Sequence, residues 1–179
     1  MEETQVIALV RQGDSGAFTE IVEHYQLPIS RYIQRLTGDT EMTKDLTQDT
    51  FIKAYRGILD TDSEISLKAW LYRIATNTVL DHKRRKGLIS FIPFTESSKN
   101  DTVNEYSSLS GDERLAVQDT LLKIGHDRRA CLVLHYVEGL KYREIADILG
   151  ITEDGVRKRV LRGSEEFQKL YLQGGGELI

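Results

Sequence analysis

Cysteine is almost missing from this chain, with one residue, Cys131, in 179. That excludes an internal disulfide framework, and with only four histidines it leaves no Cys-rich zinc module. Proline occurs twice, at Pro28 and Pro93, and tryptophan once, at Trp70. No apolar run approaches the length of a membrane span. Glu2 and Glu3 follow Met1, where a secretory leader needs a basic stretch and then an apolar one, so a cytoplasmic protein is expected. Phosphate-cradling Gly-rich loops, a Walker sequence and a Ser-His-Asp arrangement are also absent. Cys131 and His135 stand four apart on one expected helix, but two ligands without companions read as core. No enzyme activity, metal, cofactor or small-molecule substrate is therefore expected.

What is present is an ordinary soluble composition, 40% hydrophobic and 29% charged, with 24 Lys and Arg against 28 Asp and Glu. The charge is unevenly placed. Residues 1–88 carry a net −1, residues 89–113 a net −4, and residues 114–179 a net +1. The overall acidity thus belongs to the middle segment and does not exclude DNA binding elsewhere. That segment is rich in Ser, Thr, Asn and Asp and loses helical period after Phe94. It reads as a flexible acidic linker, because loops this long are uncommon inside a compact fold.

Both flanks read as helical. Val6, Leu9 and Val10 precede a turn at Gly13-Asp14, and Phe18, Ile21, Val22 and Tyr25 resume the spacing. Pro28 falls near the start of another helix, which Gly38-Asp39 closes. A third helix is expected from Glu41 to Ile58. A fourth runs from Leu67 to Arg85, with Leu67, Leu71, Ile74 and Thr78 facing a core. Beyond the linker, helices are expected over 115–122, 130–137, 141–149 and 152–172. The fold class is all-α: two small helical domains, 1–88 and 114–173, joined by residues 89–113 and followed by a flexible tail, 174–179.

The sharpest local pattern lies near the C-terminus. Tyr142, Ile145, Ala146 and Leu149 fall on one helical face, Gly150 follows, and Thr152 can cap the next helix. There Val156, Val160, Gly163, Phe167 and Leu170 make the inward stripe, opposite Arg157, Lys158, Leu161 and Arg162. A small residue, a tight turn and an apolar return contact are what a helix-turn-helix needs. Its basic second helix suits the major groove. A helical hairpin with a solvated basic face fits the same pattern. A second basic run, His82 to Lys86, ends the fourth helix, where it also suits the negative end of the helix dipole. Trp70, Tyr72, Arg73 and Asn77 share that helix, and aromatic and amide groups beside cations can hold unstacked bases. Trp70 equally suits a core.

TKDLTQDTFIKAY (residues 43–55) and KAWLYRIATNTVLDHKRRK (residues 68–86) resemble region 2 of bacterial sigma factors of the extracytoplasmic-function group, group IV of the sigma-70 family. DRRACLVLHYVEGLKYREIADILGITEDGVRKRVLRG (residues 127–163) is similar to region 4 of that group. The resemblance implies a transcription-initiation subunit that binds core RNA polymerase through the β′ clamp helices and the β flap. It implies recognition of promoter −35 and −10 DNA, help in melting, association with the nucleoid through polymerase, and a cognate anti-sigma factor.

By resemblance, Asp45, Leu46, Gln48, Asp49 and Phe51 match the polymerase-gripping segment. Trp70, Tyr72, Arg73 and Asn77, followed by Lys83 and Arg84, match the −10 and melting helix. Arg157, Lys158, Leu161 and Arg162 match the −35 recognition helix. Departures from the family pattern are Ile124-Gly125 for Leu-Pro, Glu153 and Asp154 at the entry to the recognition helix, and Arg162-Gly163-Ser164 for Arg-x-Arg. The residues alone also fit a helix-turn-helix regulator acting without polymerase, or an adaptor for acidic partners.

Overall fold

The computed structural model describes residues 3–59, 66–89 and 111–175, and all regular elements among them are helical. In chain order they are α1 (Glu3–Arg11), α2 (Ser15–Thr37), α3 (Thr40–Gly57), α4 (Leu67–Ile89), α5 (Gly111–Lys123), α6 (His126–Leu132), a π-helical turn (Val133–Val137), α7 (Tyr142–Leu149) and α8 (Glu153–Gln173). They divide into two compact units, residues 1–33 with 41–93 and residues 34–40 with 94–179. Residues 90–110, most of the expected linker, lie outside the described residues, as do 176–179 of the expected tail. The ends of that linker, Ile89 and Gly111 to Glu113, are helical.

In the first unit, Ile21, Tyr25, Ile29, Tyr32 and Ile33 form one buried stripe of α2. The stripe runs straight through Pro28, which lies inside α2 and does not open a new helix. Proline removes one backbone hydrogen bond, and the continuous apolar face on both sides outweighs that loss. The inner face of α3 is unexpectedly polar, with Thr43, Thr47 and Thr50 buried beside Leu46, Phe51 and Ala54. Two of these hydroxyls are satisfied locally: Thr47 Oγ1 donates to the Thr43 carbonyl at 2.7 Å and Thr50 Oγ1 to the Leu46 carbonyl at 2.6 Å. Tyr32 packs edge-on against Tyr72 with centroids 5.0 Å apart, and its hydroxyl meets Thr76 Oγ1 at 2.8 Å.

In the second unit, α5, α6 and α7 all pack on α8. Gly163 permits the α6 approach, since a Cβ there would meet Leu132 at 3.1 Å. The expected helix over 130–137 is α6 continued into a π turn, in which the Glu138 N–H reaches the Val133 carbonyl at 3.0 Å. Cys131 is fully buried, and His135 Nδ1–H donates to the Leu140 carbonyl at 3.0 Å. Among the described residues no helix is long and apolar enough to cross a membrane.

Candidate nucleic-acid and polymerase surfaces

The helix-turn-helix pair is built from local signals. Glu144 accepts from the Lys141 backbone N–H at 2.8 Å and fixes the start of α7. Ile145, Ala146 and Ile148 are buried on its inner face, with Tyr142 and Leu149 half-buried beside them. Gly150 ends α7 at φ 65° and ψ 37°, the left-handed region that disfavours residues with a Cβ. Thr152 then caps α8, its hydroxyl accepting from the Gly155 N–H at 3.1 Å.

On α8, Val156, Val160 and Gly163 are buried, while Phe167 and Leu170, expected inward, are only half-buried. Arg157, Lys158, Leu161 and Arg162 are all exposed on the other side. Leu161 is 61% exposed, an apolar side chain standing among cations. Lys158 is tethered, its Nζ lying 2.7 Å from Asp154 Oδ2 one turn back. The hydrogen bond from Lys158 holds the Asp154 carboxyl below the ordinary carboxylate range. Asp154, a departure from the family pattern, thus spends its charge on the helix's own lysine. A cleft of about 310 Å³ lies between α8 and the start of α6, lined by Asp127, Arg128, Gly155, Lys158, Arg159 and Arg162. Arg128 and Arg159 escaped the sequence reading. Arg128 Nε donates to Glu166 at 2.8 Å and Arg159 to the Gly155 carbonyl at 3.1 Å, contacts whose partners periodicity alone does not name.

In the first unit, α4 carries Arg73 and Asn77 one turn apart, both exposed, with Trp70 half-buried a turn earlier. Lys83 and Arg84 are exposed further along. The basic run does not end the helix, because α4 continues to Ile89 and only Lys86 falls in its last turn. A capping role for the whole run is thereby corrected, since the dipole acts mainly within one turn. Tyr72 is also corrected. Its ring is 1% exposed, packed on Tyr32, so it is core and offers bases no face. A cation that the sequence reading did not include sits beside this surface. Lys53 of α3 donates to Thr78 Oγ1 at 3.1 Å and lies 3.8 Å from Asp81, which also meets Arg84 at 3.6 Å.

The residues matched to the polymerase-gripping segment divide the same way. Asp45, Gln48 and Asp49 are exposed on α3, but Leu46 and Phe51 are buried at 3% and 8% and belong to the core. The exposed apolar residues of this helix are instead Ile52 and Tyr55. Acids and an amide beside an apolar strip suit a basic amphipathic partner helix.

Known proteins share this arrangement. Residues 21–89 match sigma-70 region 2 and residues 114–166 match sigma-70 region 4. The extracytoplasmic-function RNA polymerase sigma factor SigW of Bacillus subtilis (strain 168) is 31% identical over 175 residues, covering 91% of this chain and 93% of that protein. The RNA polymerase sigma-H factor of Pseudomonas aeruginosa is 30% identical over 179 residues, covering 94% and 93%. Two solved structures share the fold. CnrH, in complex with the cytosolic domain of CnrY, superposes with a TM-score of 0.72 at 23% identity and covers 94% of this chain and 96% of its own. RpoE of Bartonella quintana, with the anti-sigma factor NepR, gives 0.74 at 24% identity and covers 86% and 95%.

The chain belongs to the sigma-70 family, in its extracytoplasmic-function group. It binds core RNA polymerase, directs it to specific promoters and helps melt the −10 region. Its relatives are sigma factors, which are not enzymes.

Proposed function

We propose that promoter recognition is divided between the two domains, 1–88 and 114–173, with residues 89–113 joining them and 174–179 as a tail. Asp45, Gln48 and Asp49, with Ile52, bind the β′ clamp helices. Arg73 and Asn77, flanked by Trp70, Lys53, Lys83 and Arg84, hold the melted −10 strand. Arg157, Lys158, Leu161 and Arg162 read the −35 duplex, while the second domain meets the β flap. The protein carries out no catalysis of its own and works in the cytoplasm, on the nucleoid when polymerase-bound. An anti-sigma factor holds it inactive, a reading supported by the CnrY and NepR complexes of its structural neighbours.

The observation that carries this reading is the two-faced α8: three buried positions against the core, four exposed ones opposite, and a capped turn that fixes its angle. Run-off transcription with purified core polymerase on genomic fragments tests it and supplies a promoter. On that promoter, Arg157→Ala or Arg162→Ala should cost about 1–3 kcal/mol of −35 affinity and relax base preference if the contact is bidentate to a base. A phosphate contact would weaken all sequences alike and lower the salt slope by about one. If neither affinity nor slope moves for these two or for Lys158→Ala, α8 does not read DNA.

A further inference from the structure

The nine residues of α1 lie outside the matched region 2 stretch, which begins at residue 21. Their inward side chains, Val6, Ile7 and Val10, pack into the first unit, as a short amphipathic helix requires. The two charged ends of α1 do something more specific. Glu3 Oε2 accepts the backbone N–H of Leu67, the first residue of α4, at 3.2 Å. Its other oxygen, Oε1, accepts from the Tyr25 hydroxyl of α2 at 2.7 Å. At the opposite end, Arg11 Nε donates to the carbonyl of Ile58, the residue after α3, at 3.3 Å.

Each contact answers a need of a helix end. The first N–H groups of a helix lack partners within it and carry partial positive charge. Ser66 Oγ satisfies the Ala69 N–H at 3.3 Å, and the Glu3 carboxylate takes the Leu67 N–H. The last carbonyls of a helix carry partial negative charge, and the Arg11 guanidinium meets one of them just beyond α3. A nine-residue helix is about 13 Å long. It therefore spans from the residue where α3 ends to the residue where α4 begins, with an anion at one cap and a cation at the other. Burial of Tyr25 and the neighbouring Glu3 carboxylate raise its hydroxyl well above the ordinary tyrosine range, so it stays a donor to Glu3.

We infer that α1 is a strap that sets the start of α4, with Glu3 as a positioning residue for the −10 surface one to three turns further along. This rests on the reading of Arg73 and Asn77 as the strand-holding pair. Arg73 is six residues from Leu67 and Asn77 ten, so a small tilt at the cap moves both against any partner held elsewhere on the protein. Catalysis is not involved; the effect is on the geometry of strand capture.

The test uses full-length protein assembled with core polymerase and a single-stranded oligonucleotide copying the non-template −10 region of a promoter mapped by run-off transcription. Glu3→Ala removes both acceptors at a half-buried site. It should weaken strand binding by about threefold to tenfold, since a tilt of α4 can cost the strand no more than the one or two hydrogen bonds that oppose it contribute. Permanganate reactivity of the −10 region should fall with it. Affinity for core polymerase and for duplex −35 DNA should stay within about twofold. Glu3→Gln should restore strand binding, because its carbonyl can accept from Leu67 N–H while its amide donates to the Tyr25 oxygen. The inference is overturned if Glu3→Ala binds the strand like wild type. It is overturned equally if Glu3→Gln is as weak as Glu3→Ala, or if core affinity drops in parallel. Asn77→Ala, measured beside them, separates the two claims: retained strand affinity there would remove the underlying reading of α4, and with it the strap's purpose.

Discussion

Asn77 and Tyr72 sit five residues apart on α4, and the structure gives them opposite fates. The amide of Asn77 is exposed and offers two donors and an acceptor to a base edge. Extruding a base costs a few kcal/mol, which a pocket that hydrogen-bonds it offsets selectively. Asn77→Ala should therefore leave folding, core binding and closed-complex formation nearly unchanged and reduce melting, read as lost thymine reactivity to permanganate on the non-template strand. Undiminished reactivity would take Asn77 out of the mechanism. Tyr72→Ala should behave differently, lowering stability by about 3–5 kcal/mol and every activity with it, because it empties a filled core position. Urea unfolding of the two variants separates them directly. Cys131 makes a third case. Burial pushes its thiol up to about 11, so the thiolate is scarce at pH 8. Alkylation of the native protein should be slower by about a hundredfold or more than in urea. The sign follows: this group's contribution to stability is complete below about pH 9, its unfolded value, and is lost as pH rises through about 11.

At the scale of elements, two glycines of the second unit do different work and predict different failures. Gly150 has φ 65°, and nothing lies within 4 Å of the position a Cβ would take. Gly150→Ala should thus cost about 1 kcal/mol from backbone strain alone, and Gly150→Asn less, measured by thermal or urea unfolding. Gly163 has the reverse problem, since a Cβ there crowds Leu132. The turn around Gly150 was legible because its signals are local: Gly150 and Thr152 each act within one turn of their own position. Less local features were not. The stripe of Thr43, Thr47 and Thr50 reads as polar in sequence, although each hydroxyl is buried, and those of Thr47 and Thr50 are satisfied by the helix itself. Leu46, Phe51 and Tyr72 were placed at surfaces by motif resemblance, which fixes identity but not helical phase. Phase alone sets Tyr72 with Thr76 and Val79, both buried. The π turn escaped because one inserted residue does not disturb an apolar period over so short a run. Lys53 escaped because its partners, Thr78 and Asp81, are 25 and more residues away.

At the scale of the whole molecule, the chain is acidic while its C-terminal part is not: the net −4 resides in residues 89–113, and residues 114–179 carry +1. The same segment sets a geometric limit. Its ends are helical, and the stretch between them, residues 90–110, spans at most roughly 70–75 Å, whatever its conformation. Two promoter elements about two helical turns apart are separated by on the order of 70 Å. The joining segment is thus long enough for both domains to occupy one promoter, with little to spare. Removing about ten residues from 95–112 leaves a reach of roughly 40 Å, too short for that span. The shortened protein should keep the helical content of both domains by circular dichroism, and its second domain should still bind duplex −35 DNA. Holoenzyme made with it should fail in run-off transcription from a promoter that needs both elements. Its acidic side chains favour a basic protein channel over DNA as the path between them. Replacing its Asp and Glu by Asn and Gln at full length should therefore preserve promoter bridging while raising non-specific duplex affinity at low salt. Normal transcription from the shortened chain would mean that the two domains never bind one promoter together.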